Sequence, residues 1–149
     1  MTVCALSATI DGNHENWWEG EGDWYAKFYV CDSNKANCGG AICNTGVTGA
    51  RSNSGHTVTW DYCCDVGTVV NGQYVKIEVH DEDVGGDDLG GVTWRQLSPG
   101  CCYGAYNTNV WSADDRGGHT WQGSSLTYSI DVSSVGWTDE TSLLHAMLG

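Results

Sequence analysis

The chain is 149 residues long, carries a formal net charge of −13 and has only six lysines and arginines. Such a charge argues against a nucleic-acid-reading surface, which needs clustered Lys and Arg, and keeps the chain from anionic membranes unless something reverses its local charge. The length suits one domain with a sizeable core, and 21 glycines, eight tryptophans and seven tyrosines beside a single proline point to β-structure.

Short apolar alternations separated by Gly, Asn, Asp and Ser clusters recur along the chain. Thr2 to Ile10 alternates as a strand, and the chain's start lacks the basic region and long apolar core of a cleavable leader. We therefore expect a mature fragment or excised module behind an added Met1. Asp11 to Asp23 is a long loop of acid, Gly and Trp, DGNHENWWEGEGD. Trp24 to Cys31 is a second strand. Asp32 to Gly46 is polar and reads as an excursion pinned by cysteines. His56 to Tyr62 alternates again, with Trp60 inward. Gln73 to Val79 and Gly91 to Leu97 are strands flanking an acidic loop. Pro99 to Tyr106 reads as a turn, Asn107 to Gly123 as a polar loop, and Ser125 to Val132 as the last strand.

Seven or eight strands with no helical period among them predict an all-β fold, an antiparallel eight-stranded β-sandwich. The expected division is a sandwich over 1–135 and a tail or short helix over 136–149, with Thr138 as a candidate N-cap. No run approaches the ~18 apolar residues of a membrane span, and no Asn-x-Ser/Thr sequon is present.

Eight cysteines, Cys4, Cys31, Cys38, Cys43, Cys63, Cys64, Cys101 and Cys102, form no C-x-x-C pair of the zinc or thioredoxin kind. Their even number predicts four disulfides and a secreted, extracellular protein. Sequence does not choose the connectivity, but neighbouring strand residues face opposite ways, so Cys63 and Cys64 take different partners.

Val75 to Gly91, VKIEVHDEDVGGDDLGG, is the most informative stretch. An alternating strand delivers Asp81, Glu82, Asp83, Asp87 and Asp88, five carboxylates in eight residues. Close like charges cost about 1–4 kcal/mol per pair at effective dielectrics between water and a protein surface. Calcium, which takes six to eight oxygen ligands, is the natural counter-ion; a solvated acidic turn is the alternative. An EF-hand does not fit: Asp81, Asp83 and Gly86 suit its first, third and sixth positions, but Val92 stands where the bidentate Glu belongs, and both flanks are strands.

Three segments together resemble the C-two domain, the calcium- and phospholipid-binding sandwich of protein kinase C, synaptotagmin and perforin, over roughly Val3 to Val132. Gly22 to Val30, GDWYAKFYV, looks like that family's strand entry, with Trp24 in place of a proline. Val58 to Val70 resembles its tryptophan-bearing strand, with Trp60 as the buried aromatic. Val75 to Gly90 resembles its apolar strand followed by D-x-D and D-x-x-G. The resemblance implies Ca²⁺ as cofactor, with Asp23, Asp81, Asp83 and Asp87 as ligands and Asp88 as a substitute for Asp87. Where the family has a further carboxylate in the first loop, Trp17 stands, so Glu15, Asn16, Glu19 or Glu21 must fill that role. The abundance of cysteine is closer to secreted members such as perforin.

In a sandwich the loops gather at two ends, so Asp11–Asp23 and Asp81–Asp88 can meet around a hard cation. A bound cation removes the negative potential and offers coordination sites to a lipid phosphate. Trp17 and Trp18 lie in the same loop, and Trp favours the membrane interface; packing beneath the loop is the alternative. The leading expectation is thus a secreted module docking to membrane phospholipid with calcium. A calcium-rigidified structural, adhesive or carbohydrate-binding module of the extracellular matrix, able to meet neighbouring modules or itself, is the second, favoured by the scarcity of basic residues: lysine occurs only at Lys27, Lys35 and Lys76. His80 reads as a strand-end imidazole rather than a ligand, and Asp114 and Asp115 as a turn or part of a third rim loop. Enzymatic activity is not expected: apart from the bare possibility of an Asp23/Asp81 glycosidase pair, there is no nucleophile elbow or phosphate loop.

Overall fold

The computed structural model describes residues 1–10, 22–47, 51–52, 56–82, 88–101, 105–109, 125–132 and 137. Among them nine strands run in chain order: β1 Thr2–Ile10, β2 Gly22–Cys31, β3 Cys43–Asn44, β4 Arg51–Ser52, β5 His56–Asp65, β6 Tyr74–Asp81, β7 Asp88–Gln96, β8 Ala105–Asn109 and β9 Ser125–Asp131. They form an antiparallel β-sandwich. One sheet has the order β5-β1-β9-β8, and the other β3-β2-β6-β7 with β4 also paired to β2.

The alternation read from the sequence sets the faces. In β6, Val75, Ile77, Val79 and Asp81 are buried, while Tyr74, Lys76, Glu78 and His80 lie on the outer face. In β2, Trp24, Ala26 and Phe28 point inward, and in β9 Leu126, Tyr128 and Ile130 do. With Val3, Ala5, Ala8 and Val58 these fill the space between the sheets. Burying each large apolar side chain contributes about 1.5–3 kcal/mol.

One irregularity alters the phase of β1. The register shifts between Ala5 and Ser7, so Leu6 is the extra residue against β9, and Trp60 and Asp61 oppose it on β5. The bulge turns Ala8, not Ser7, to the core. Asp61 absorbs it with a φ of 47°.

Strand content exceeds the sequence expectation at three places. β3 and β4 are two-residue pairings on β2, too short for any period to be legible. β8 falls where a turn and a polar loop were expected. Its sequence, AYNTN, is polar, as suits a strand at the edge of its sheet, where among the described residues its ladder partner is β9.

Three disulfides are described. Cys4–Cys63 links directly opposed residues of β1 and β5, Cys31–Cys38 closes the loop leaving β2, and Cys43–Cys64 ties β3 of one sheet to β5 of the other. Cys101 is disulfide-bonded as well, while Cys102 lies outside the described residues. Cys63 is exposed and Cys64 packs against the core, so the two neighbours do take different partners. The expected C-terminal tail or helix lies, apart from residue 137, outside the described residues; Trp137 packs against the core.

Candidate functional site

The strand registers bring the acidic segments to one end of the sandwich. Ile10 pairs with His56, and Ser125 with both Thr9 and Asn109, so these ends of the four-stranded sheet lie together. In the other sheet Trp24 pairs with Asp81, Asp81 with Asp88, and Gly22 with Ser52. The short link from Ser52 to His56 puts both sets at the same end. The connections leaving that end carry residues 11–21, 82–87 and 110–124, which hold Glu19, Glu21, Asp83 and Asp87, while Asp23, Asp81 and Asp88 stand on the strand ends beside them.

Asp81 is the centre of what is described there. It occupies an inward-facing position of β6 and is 2% exposed. Its Oδ1 accepts the Asp23 N–H at 2.8 Å. The Asp23 carbonyl in turn accepts the Glu82 N–H at 2.9 Å. Asp23 is therefore clamped to the start of the acidic loop through its own backbone, with its Oδ1 shielded from solvent. Trp24 anchors the clamp from below: it is fully buried, and its carbonyl accepts the Trp60 indole N–H at 3.2 Å. Trp24 thus puts a large core side chain at the position where the resemblance has a proline.

Burying a carboxylate is costly unless it is paired or bonded. At the rim the structure thus holds one buried carboxylate, Asp81, bonded to the backbone of a second acidic residue, Asp23, and carboxylate oxygens are hard donors that suit calcium. Among the described residues no group of three or more ligating side chains is assembled. Asp88 is placed at the first position of β7, opposite Asp81. Asp83, Asp87, Glu19 and Glu21 lie outside the described residues, as do Trp17 and Trp18, and Asp114 and Asp115.

His80 faces away from this pair. Its ring stacks on Tyr25, with centroids 5.2 Å apart and planes 12° apart, and its Nε2 lies 3.2 Å from Glu78 Oε1. Glu78 also meets Lys76 Nζ at 3.3 Å. The hydrogen bond to His80, with the Lys76 charge behind it, holds the Glu78 carboxyl down at about 2. Burial, then the Glu78 charge and a hydrogen bond to it, push the Tyr29 phenol up to about 12. The sequence reading missed this outer-face cluster, although Tyr25, Lys27 and Tyr29 alternate on β2 as Lys76, Glu78 and His80 do on β6. A shallow cavity of about 230 Å³ lies beside the rim, lined by Tyr25, Lys27, Asn44, Gly46, Val47 and Glu82.

No family model matches the chain, and no curated protein matches it. Solved structures do. A C-two domain structure is 22% identical, with a TM-score of 0.50 over 87% of this chain and 99% of that one. The C-two A domain of plant Extended Synaptotagmin 1 is 14% identical, with a TM-score of 0.57 over 85% of this chain and 88% of that one. The fold is C-two-like.

Proposed function

We propose that this C-two-like, disulfide-linked sandwich is a secreted, non-catalytic calcium-binding module that docks to membrane phospholipid through its acidic end. The observation that carries this reading is the buried Asp81 carboxylate fixing Asp23 at the end where the acidic connections emerge. Asp23 and Asp81 would hold the ion, joined by Asp83, Asp87 or Asp88 and by Glu19 or Glu21 from the first connection. Calcium supplies charge neutralisation and open coordination sites for a phosphate oxygen. The chain's own contribution is to fix Asp23 beside the buried Asp81 and to present Trp17 and Trp18 for insertion at the interface. Three cross-links within the fold support an oxidising compartment.

The test is sedimentation with phosphatidylserine-containing vesicles, with and without calcium, beside an Asp81→Asn/Asp83→Asn variant. Calcium-dependent pelleting of the wild type, reduced at least about tenfold in the variant, is expected. Calcium titration that leaves the wild type wholly in the supernatant would sink the membrane half of the proposal. No calcium binding by calorimetry would sink both halves.

A further inference from the structure

The described cross-links account for six of the eight cysteines, pairing Cys4 with Cys63, Cys31 with Cys38 and Cys43 with Cys64. Cys101 is disulfide-bonded as well. The cysteine left in the sequence to pair with it is its own neighbour, Cys102.

The surroundings of Cys101 suit a sulfur that changes state. Ser98 to Cys101 form a turn, in which the Cys101 N–H donates to the Ser98 carbonyl at 3.1 Å. Pro99 and Gly100 are exposed and Cys101 is half-buried. The turn follows Leu97, whose N–H donates to the Gln73 carbonyl, and stands where the chain leaves β7 for β8 in the other sheet. Cys101 Sγ accepts the Ser98 N–H at 3.2 Å and lies 3.2 Å from the Gln96 carbonyl oxygen. A disulfide sulfur has no hydrogen to give that carbonyl, whereas a thiol donates to it. The Ser98 N–H is a matching partner for a thiolate. The turn therefore holds partners for both forms of the reduced sulfur.

A bond between adjacent residues also has little structural reason to exist. Loop-closure stabilisation grows with the length of chain enclosed, and adjacent residues enclose almost none. The other cross-links span 59, 7 and 21 residues. Cys31 and Cys43 are buried. Cys4 and Cys63 are accessible, but the flanking pairs Val3–Cys64 and Ala5–Tyr62 of the β1-β5 ladder hold their sulfurs face to face, ready to reclose after reduction. A vicinal pair closes only as a small ring that includes the planar peptide bond, which opposes reclosure.

We propose that Cys101 and Cys102 form a vicinal disulfide, and that this bond is the site at which an external dithiol reversibly reduces the molecule. One thiolate of the dithiol attacks Cys102 Sγ and forms a mixed disulfide. The Cys101–Cys102 bond breaks, and Cys101 leaves as a thiolate held by the Ser98 N–H, then takes a proton and donates it to the Gln96 carbonyl. The second thiolate of the dithiol attacks its own partner sulfur and releases Cys102. Two electrons and two protons pass to the cysteine pair, and the dithiol departs as a disulfide. Reduction releases the crossover between the sheets while the other three cross-links keep the sandwich closed. The site lies at the far end of β7 from Asp88 and stands independently of the calcium reading.

The test is graded reduction of the folded, oxidised protein with dithiothreitol, trapping with N-ethylmaleimide, and peptide mass mapping. Without reductant, the peptide carrying Cys101 and Cys102 should be lighter by two hydrogens and linked to no other peptide. With reductant, both should be labelled at least about tenfold faster than Cys4 and Cys63. The Cys101→Ser/Cys102→Ser variant should lose this fast phase and unfold at nearly the wild-type denaturant midpoint. Free thiols at both positions in the oxidised protein, or a link from either to another cysteine, would overturn the assignment. Earlier labelling of Cys4 and Cys63, or a variant that fails to fold, would overturn the exchange role, because the bond would then be a structural one.

Discussion

Thr45 shows how much one hydroxyl can hold. It is 4% exposed, its Oγ1 accepts the buried Ala26 N–H at 2.9 Å, and the same hydroxyl donates to the Gly46 carbonyl at 3.0 Å. Thr45→Val keeps the shape and leaves the Ala26 N–H with no acceptor. A loss of about 2 kcal/mol is expected in chemical denaturation, the usual cost of an unsatisfied buried donor. Glu78 sets a different test. Its folded pKa, near 2, lies below the ordinary 4.5, so its contribution to stability is complete above about 4.5 and is lost as pH falls towards 2. The partial exposure of the group screens the effect, leaving on the order of 1 kcal/mol. Acid unfolding curves should show that Glu78→Gln removes this part of the pH dependence; superimposable curves would refute it.

At the scale of elements, legibility followed period. β6 was readable because its alternation is uninterrupted, and β2 because inward Trp24, Ala26 and Phe28 alternate with Tyr25, Lys27 and Tyr29. The bulge in β1 was missed although its trace is in the sequence: Ala5 and Leu6 are adjacent apolar residues, and the apolar positions change from Val3 and Ala5 to Leu6, Ala8 and Ile10 across the register shift. β8 was missed because an edge strand needs a partner more than an apolar face. The candidate site divides in the same way. The Asp23–Asp81 contact was legible through adjoining motifs on paired strands. The Tyr25–His80 stack was not, because it depends on cross-strand register, which is not encoded in local spacing.

For the molecule as a whole, Cys43–Cys64 is the described disulfide that joins the two sheets. Its sequence separation of 21 corresponds to about 3 kcal/mol of loop-closure entropy. The Cys43→Ala/Cys64→Ala variant should therefore lose about 3 kcal/mol in guanidinium unfolding. The loss should be cooperative, in a single transition, because the sheets also share one apolar core. An early separate transition would instead mean that the disulfide, rather than the core, couples the sheets.

The Cys63–Cys64 dipeptide also bears on how the chain oxidises. Exchanging their partners, Cys4 with Cys64 and Cys43 with Cys63, would require β5 to slide by one residue. That slide would turn Val58 and Cys64 out to solvent and bring the exposed Cys63 in. Strand register thus acts as a proofreader of sulfur chemistry: a mispaired intermediate cannot close the core, stays open to thiol attack, and is returned for another attempt until β5 is aligned.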